Sequence, residues 1–335
     1  MPAPIVTVVV ATLAADDALA NCLRSLEDQT FKRFEVMVVD NSGAGGTAHQ
    51  SAAKNARVIA NASNRGFGAA INQGFRASAA PYLATLNDDA VAHPEWLEKL
   101  VAAAEKHPAA GMFASEVLLD ADQLDSAGMR IAADGSSRQR GHGESPAKFA
   151  RSDEALLPSG SAALYRRKML DEIGLFDESF FLYCEDTDLG LRGRRAGWDC
   201  VYVAGAIVEH RYSHSAGRAS LLKAYYVERN RLYTAIKNFP LPMLLAAPFA
   251  SLARYFWHLE SLLEGRGKAA EFRAAGSAAS LLPFVVFRAH VSALFRLPRL
   301  WKKRREIARS ARLGSREFRE LLKRHSITLR QVAEL

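Results

Sequence analysis

From Ile5 to Leu86 the chain alternates short, β-branched apolar runs with segments of helical periodicity, and the runs end on polar or acidic residues. "IVTVVVATL" reads as a first strand, and "DDALANCLRSLEDQ" sets Leu19, Cys22, Leu23 and Leu26 on one helical face, with Asp16 or Asp17 as the N-cap. "FEVMVVDNS" and "ARVIANAS" follow as strands. "GFGAAINQGFRAS" has Phe67, Ala70, Ile71, Gly74 and Phe75 at helix spacing, and Phe67 and Phe75 are expected in the core. "PYLATL" is a fourth strand that runs directly into "NDDA". Strands separated by helices predict an α/β domain with a mostly parallel central sheet flanked by helices.

The same reading continues downstream. Pro94 is expected in the first turn of a helix that turns Trp96, Leu97, Leu100, Val101 and Ala104 inward, and "GMFASEVLL" is a further strand. Ala121 to Ser152 lacks periodicity and is rich in Gly, Ser, Arg and Asp, which predicts a mobile loop with a short hairpin, placed to cover a site. "EDTDLGLRGRRAG" predicts a helix from Glu185 to a glycine stop at Gly197, and "WDCVYV" and "AIVEH" two closing strands. Strand signals cease near Ala219. The expected division is therefore a catalytic domain over 1–218 and a helical, basic region over 219–335.

Composition narrows the class. Nearly half of the 335 residues are hydrophobic, enough for a large core, and the three cysteines, Cys22, Cys184 and Cys200, show no metal-ligand spacing and read as core residues of a reducing compartment. "MPAPIVTVVVATL" lacks a basic leader and is too short to span a bilayer, so it reads as a buried strand and not a signal. The net charge of +8 is local: Arg296 to Arg324 holds twelve Lys or Arg against Glu306, Glu317 and Glu320, a net +9.

Open α/β sheets place their sites at the carboxyl ends of the strands. Asp40 follows the second strand, Asn87, Asp88 and Asp89 follow the fourth, and Glu185 and Asp186 start a later helix. Adjacent carboxylates repel one another, so "NDDA" is either a solvated turn or a site for a hard divalent cation, Mg or Mn, with a substrate diphosphate completing its oxygen shell. The chain has no Gly-x-Gly-x-x-Gly after the first strand and no Gly-Lys-Ser/Thr loop, so no other phosphate device competes. "GAGG" at Gly43 to Gly46 reads as a flexible loop.

Taken in order, "VTVVVATL", "VVDNS", "NRGFGAAINQG", "LNDDA", "GLFDESFFLYCEDTDLGLRGRRAGW" and "AIVEH" resemble the inverting family-2 glycosyltransferases of the GT-A fold, and most of all their bacterial rhamnosyltransferase-like branch, over residues 4 to 240. The resemblance implies a role for each acid. Asn87 and Asp89 hold the outer positions of the family's Asp-x-Asp element. The Asn departs from the strict pattern and leaves Asp89 as the metal ligand, with Asn87 or Asp88 on the nucleotide ribose. Asp40 would accept from the base, Thr12 would line the base pocket, and Asn64, Arg65 and Gly66 would lie against the nucleotide; Arg65 is equally a surface charge. Asp186 would be the general base, favoured as an anion by the helix N-terminus, with Glu185 as the second choice. His210 would be a second metal ligand, with His214 as its rival. Asp188 and Arg192, four apart, are expected to form an intrahelical ion pair.

The implied reaction moves rhamnose or a similar sugar from dTDP-rhamnose or a UDP-sugar to a hydroxyl of a glycan or polyprenyl-linked acceptor, with inversion. Beyond residue 219, "FPLPMLLAAPFASLARYFWHL" and "SAASLLPFVVFRAHVSALF" are broken by Pro or Arg before the roughly 18 residues that a spanning helix requires. They are expected to lie in a membrane interface or to pack on the catalytic domain. The basic segment after them is a solvated face, a polyanion-binding patch or an anionic membrane contact. The membrane contact also explains its apolar neighbours, so no nucleic-acid partner is expected, and the enzyme is placed on the cytoplasmic face of a bacterial membrane. The rival readings are a sugar-activating nucleotidyltransferase, which would normally show a Gly-rich basic loop where "ATLAADD" stands, and a non-catalytic basic membrane or RNA adaptor.

Overall fold

The computed structural model describes residues 3–14, 16–43, 56–210, 220–265 and 279–334. The first half builds β1 (Val6–Thr12), α1 (Asp17–Glu27), β2 (Phe34–Asp40), β3 (Ala56–Ala60), α2 (Phe67–Arg76), β4 (Tyr82–Leu86), β5 (Ala90–Ala92), α3 (Trp96–Lys106) and β6 (Ala110–Leu118). Then come β7 (Leu124–Ser126), β8 (Met129–Ile131), β9 (Ser137–Gln139), β10 (Asp153–Glu154), β11 (Ala162–Arg166), α4 (Arg167–Ile173), α5 (Glu185–Arg195) and β12 (Asp199–His210). The C-terminal part is helical: α6 (Leu221–Asn238), α7 (Leu241–Leu263), α8 (Leu282–Ser310), α9 (Ser315–Arg324) and α10 (Leu329–Glu334).

The main sheet has the order β10-β12-β6-β11-β4-β1-β2-β3. β1 is parallel to both β2 and β4, β2 is parallel to β3, and β12 is parallel to β6, whereas β11 runs antiparallel between β4 and β6. The expected mostly parallel sheet is therefore present. Alternation along β1 explains its burial on both faces. Val8 and Val10 join Leu19, Leu23, Trp96 and Leu100 on one side, and Val9 joins Met37, Ile71, Phe75 and Tyr165 on the other. Because a β-strand turns successive side chains to opposite faces, one apolar run feeds two cores.

Local expectations hold with two adjustments. Asp16 is the N-cap of α1, its Oδ1 accepting from the backbone N–H groups of Ala18 and Leu19 at 3.1 Å. Pro94, however, lies in the turn ahead of α3, whose N-cap is Glu95. "WDCVYV" and "AIVEH" form one strand, not two: β12 continues through an irregularity between Val203 and Ile207, where Gly205 takes φ +81°.

Residues 121–152 are more ordered than their composition suggests. β8 and β9 form the expected hairpin, β7 joins the main sheet, and Asp125, Ser126 and Asp134 are buried. α6 packs on α5 through polar groups: Asn238 Nδ2 donates to Asp188 Oδ1 at 2.9 Å, and Lys237 Nζ lies 2.7 Å from the same carboxylate. The Asp188–Arg192 pair forms as expected, at 2.9 Å. No described helix is long and apolar enough to cross a membrane.

Candidate active site

β1 has β2 on one side and β4 on the other, so the chain departs in opposite directions at the carboxyl edge of this pair and leaves a crevice. A cavity of about 320 Å³ opens there. Its walls include Thr12, Asn64, Gly66, Asn87, Asp88, Asp89, Glu185, Asp186 and His210, so the fold gathers most of the expected site residues in one place. Asp40 and Arg65 are not among the lining residues: Asp40 is buried behind the wall, its Oδ1 accepting from Ser42 N–H at 2.9 Å, and Arg65 is exposed. Phe75 is core, whereas Phe67 packs on the core and also lines the cavity. His214, Ala44 to Gly46 and the 218/219 boundary lie outside the described residues.

The acidic corner is assembled by strand pairing. β5 pairs antiparallel with β12 and sets His210 opposite Ala90, one residue beyond Asp89. His210 Nε2 consequently lies 3.2 Å from Asp89 Oδ1 and 3.2 Å from Asn87 Nδ2. Its other nitrogen, Nδ1, meets Asp125 Oδ2 at 3.1 Å, and Asp125 Oδ1 in turn lies 3.1 Å from His142 Nδ1. Burial alone would lower the His210 pKa, but the carboxylates of Asp125 and Asp89 outweigh it and push the imidazole up to about 9. Asp88 is raised by burial and by the charge of Asp89, against the hydroxyl of Thr12, which favours its anion.

Among the described residues no group of three His, Cys, Asp or Glu forms a ready-made cation cage. The donor set nevertheless suits a cation completed by substrate oxygens. Asp89 Oδ1 is buried without a hydrogen-bond partner although it lies 3.2 Å from His210 Nε2, and the Asp125 contact can hold Nδ1–H so that a cation displacing the Nε2 proton would meet that nitrogen beside Asp89. One carboxylate oxygen and one imidazole nitrogen fit Mg or Mn with most of its shell left open.

Glu185 and Asp186, at the start of α5, also line the cavity. Asp186 Oδ2 accepts from Gly160 N–H at 2.9 Å, and its Oδ1 accepts from the Thr187 N–H at 2.6 Å and the Thr187 hydroxyl at 3.2 Å. Ser137 on β9 bonds that hydroxyl at 2.8 Å, so the hairpin braces the acid. The expected preference for ionised carboxylates is overturned in part. Burial raises both acids, and Glu185, with the Asp186 charge beside it, is pushed up to about 8. A helix N-terminus is worth only about 0.3–1 kcal/mol at an exposed position, less than the desolvation of a buried carboxylate. Asp186 alone gains several hydrogen bonds to its charged form; Glu185 Oε2 has no partner among the described residues.

The segment leading into α5 is strained. Phe181, Tyr183 and Cys184 take φ of 66°, 69° and 65°, a left-handed conformation that bulky residues rarely adopt. Asn230 of α6 restrains it. This fully buried side chain donates through Nδ2 to the carbonyls of Phe180, Leu182 and Tyr183 at 2.9, 2.8 and 2.7 Å. Phe181 O in turn accepts from Phe67 N–H at 2.8 Å, joining the segment to the loop before α2. That loop is organised by Asn41, whose Nδ2 donates to Asn64 Oδ1 at 2.9 Å and whose Oδ1 accepts from Arg65 N–H at 3.0 Å. Asn41, Asp125, Gly160, the hairpin residues Ser137 to Gln139 and Lys223 were not identified as site residues from sequence. Asn41 lies inside "VVDNS", which was a usable signal, whereas Asp125 and Asn230 had none.

Comparison with known proteins bears on the family and the fold. The sequence profile described as Glycosyl transferase family 2 matches residues 7–174. N-acetylglucosaminyl-diphospho-decaprenol L-rhamnosyltransferase of Mycobacterium tuberculosis is 32% identical over 254 residues, covering 66% of this chain and 81% of that protein. Among solved structures, a mannosyltransferase from Pyrobaculum calidifontis in complex with GDP-Man and Mn2+ aligns with a TM-score of 0.56 at 17% identity, covering 92% of this chain and 86% of the other. GalNAc-T7 with UDP, GalNAc and Mn2+ aligns with a TM-score of 0.57 at 12% identity, covering 87% and 58%. These likenesses share the GT-A fold, and with the profile match over half its length the chain belongs to glycosyltransferase family 2.

Proposed function

We propose that this glycosyltransferase transfers a sugar from a nucleoside-diphosphate donor to a hydroxyl of a lipid-linked glycan acceptor, inverting the anomeric centre with the help of Mg or Mn. The observation that carries the reading is one cavity lined by two differently equipped groups: Asp89 beside His210, and a separately hydrogen-bonded Asp186. Inversion in a single displacement needs the base and the leaving group on opposite sides of the reacting carbon.

Asp89 and His210 would hold the cation, which supplies positive charge to the departing diphosphate. Asn87 and Asp88 lie beside them, in reach of the ribose. Thr12, Asn64 and Gly66 line the nucleotide side, with Asp40 and Arg65 acting from behind the wall and from the rim. Asp186 takes the proton of the acceptor hydroxyl while that oxygen bonds to the anomeric carbon. The carbon–oxygen bond to the diphosphate breaks, and its electron pair leaves with the nucleotide. Glu185, protonated at neutral pH, leaves the negative charge to Asp186 and can donate a hydrogen bond to the acceptor.

The 32% identical relative's name supports rhamnose as the sugar and a polyprenyl-diphosphate glycan as the acceptor; dTDP as the carrier rests on the sequence resemblance alone. The catalytic unit is assigned to 1–218 and the helical region to 219–335, with action on the cytoplasmic face of a membrane. Family membership argues against the nucleotidyltransferase alternative. Thermal-shift screening of nucleotide sugars with Mg or Mn, followed by a donor-hydrolysis assay, tests the proposal. Metal-dependent release of nucleoside diphosphate supports it, whereas release of pyrophosphate, or no donor binding at all, refutes it.

A further inference from the structure

The helices after residue 240 expose an apolar surface that the transfer reaction does not use. On α7, Leu245, Phe249, Leu252, Phe256, Leu259 and Leu263 recur every three or four residues and are 55% to 80% exposed. They occupy one helical stripe, while Ala247, Ser251, Arg254 and Ser261 face the protein. From Leu241 to Leu259 the only Asp, Glu, Lys or Arg is Arg254, and it is buried against Asp134 and Glu228. The exposed side of these five turns is therefore uncharged, which a water-facing helix does not tolerate at this length.

α8 adds charge to the same kind of surface. Phe284, Phe287, Leu294 and Phe295 are 58% to 83% exposed, and Arg288, Arg296, Arg299 and Lys302 are exposed among and just beyond them. No Asp or Glu occurs between Leu282 and Arg305. Apolar side chains interleaved with cations complement an apolar layer beneath an anionic one, which is the cross-section of a bilayer surface. A second copy of the chain fits less well, because it would oppose one row of cations to another.

The helix also reaches the site. Arg288 lies over the Tyr225 ring at 4.5 Å, Tyr225 touches Tyr226 with ring centroids 5.3 Å apart, and Tyr226 stacks at 5.2 Å on Phe181, which lines the cavity.

We infer that α7 and α8 form an interfacial docking surface for anionic lipid bilayers, the apolar stripe entering the acyl boundary and the α8 cations meeting the headgroups. The surface holds the cavity rim next to the bilayer, where a lipid-borne acceptor diffuses. Binding is measured with vesicles alone, without donor or acceptor, so its failure would leave the transfer proposal standing.

The test is co-sedimentation of the full chain with vesicles of phosphatidylglycerol and phosphatidylcholine, against phosphatidylcholine alone. Binding to the anionic vesicles and its loss in high salt are expected. The triple variant R296E/R299E/K302E is expected to partition roughly 100-fold less. F249S/F256S and F287S/F295S, on exposed positions and with thermal unfolding to verify folding, are each expected to weaken binding about tenfold or more. Absence of binding to anionic vesicles, or equal binding by all folded variants, overturns the inference. So does a dimer in solution that F249S/F256S dissociates, since the stripe would then be covered by a second copy.

Discussion

His210 is held between Asp125 and Asp89, with Nδ1 3.1 Å from Asp125 Oδ2 and Nε2 3.2 Å from Asp89 Oδ1. The first contact fixes the ring so that the second nitrogen points into the cavity. Replacing Asp125 with Ala leaves the cavity wall intact but frees the imidazole. Mn2+ affinity, measured by calorimetric titration, is expected to fall roughly 10- to 100-fold. Unchanged affinity would remove His210 from the metal site.

The two acidic groups should separate in their kinetics. Asp89→Ala is expected to abolish metal-dependent donor binding. Asp186→Asn is expected to keep the donor-induced thermal shift while transfer drops by about 100-fold or more, the usual loss when a general base is removed. Near-normal transfer by Asp186→Asn would disqualify it as the base.

Glu185 makes stability depend on pH. Its pKa rises from 4.5 to about 8 on folding, so the folded state holds a proton that the unfolded chain has released between those values. Stability from this group is complete below pH 4.5 and declines by about 1.4 kcal/mol per pH unit until the folded carboxyl itself ionises. Glu185→Gln carries no proton to lose. The difference in unfolding free energy between the variant and the parent should therefore widen in the variant's favour as pH rises to about 8, then level off. Denaturant melts at pH 5, 6.5 and 8 check this, and a gap that stays constant refutes it.

Asn230 ties the strained entrance of α5 to α6. Asn230→Ala leaves the carbonyls of Leu182 and Tyr183 without their donor, while Phe180 O keeps the Arg229 guanidinium at 2.7 Å. A loss of about 3 kcal/mol is expected in urea unfolding, given about 1–3 kcal/mol for each unsatisfied buried group and partial rescue by water.

Gly66 tests the other side of that segment. It takes φ +85°, and a Cβ there would collide with the Phe181 carbonyl. Gly66→Ala is expected to weaken donor binding and transfer together, measured as a smaller donor-induced thermal shift and a lower turnover, because both the nucleotide loop and the α5 entrance must move.

Much of this was legible from residue pattern. The alternation along "IVTVVVATL" and its neighbours yields the strands and both cores, and the position of Thr12, Asp88 and Asp89 at strand ends places them at the crevice. The Asp188–Arg192 pair could be read from helical spacing alone. Pro94 and the two-strand reading of 199–210 missed because turn and bulge geometry depend on partners far away in sequence: Gly205 bends a strand that the pairing with β5 and β6 keeps continuous.

The sequence by itself determined the order of elements, the faces they bury and the acids at the strand ends, since hydrophobic periodicity and local capping are short-range properties of the chain. Tertiary structure alone decided that His210 meets Asp89, because that contact follows from β5–β12 register. It also decided that Glu185 retains its proton, because the cost of desolvation depends on what surrounds a carboxyl and not on its neighbours in sequence. The exposure of the α7 stripe belongs to the same class: an amphipathic helix announces an apolar face, but only packing shows whether another part of the protein covers it.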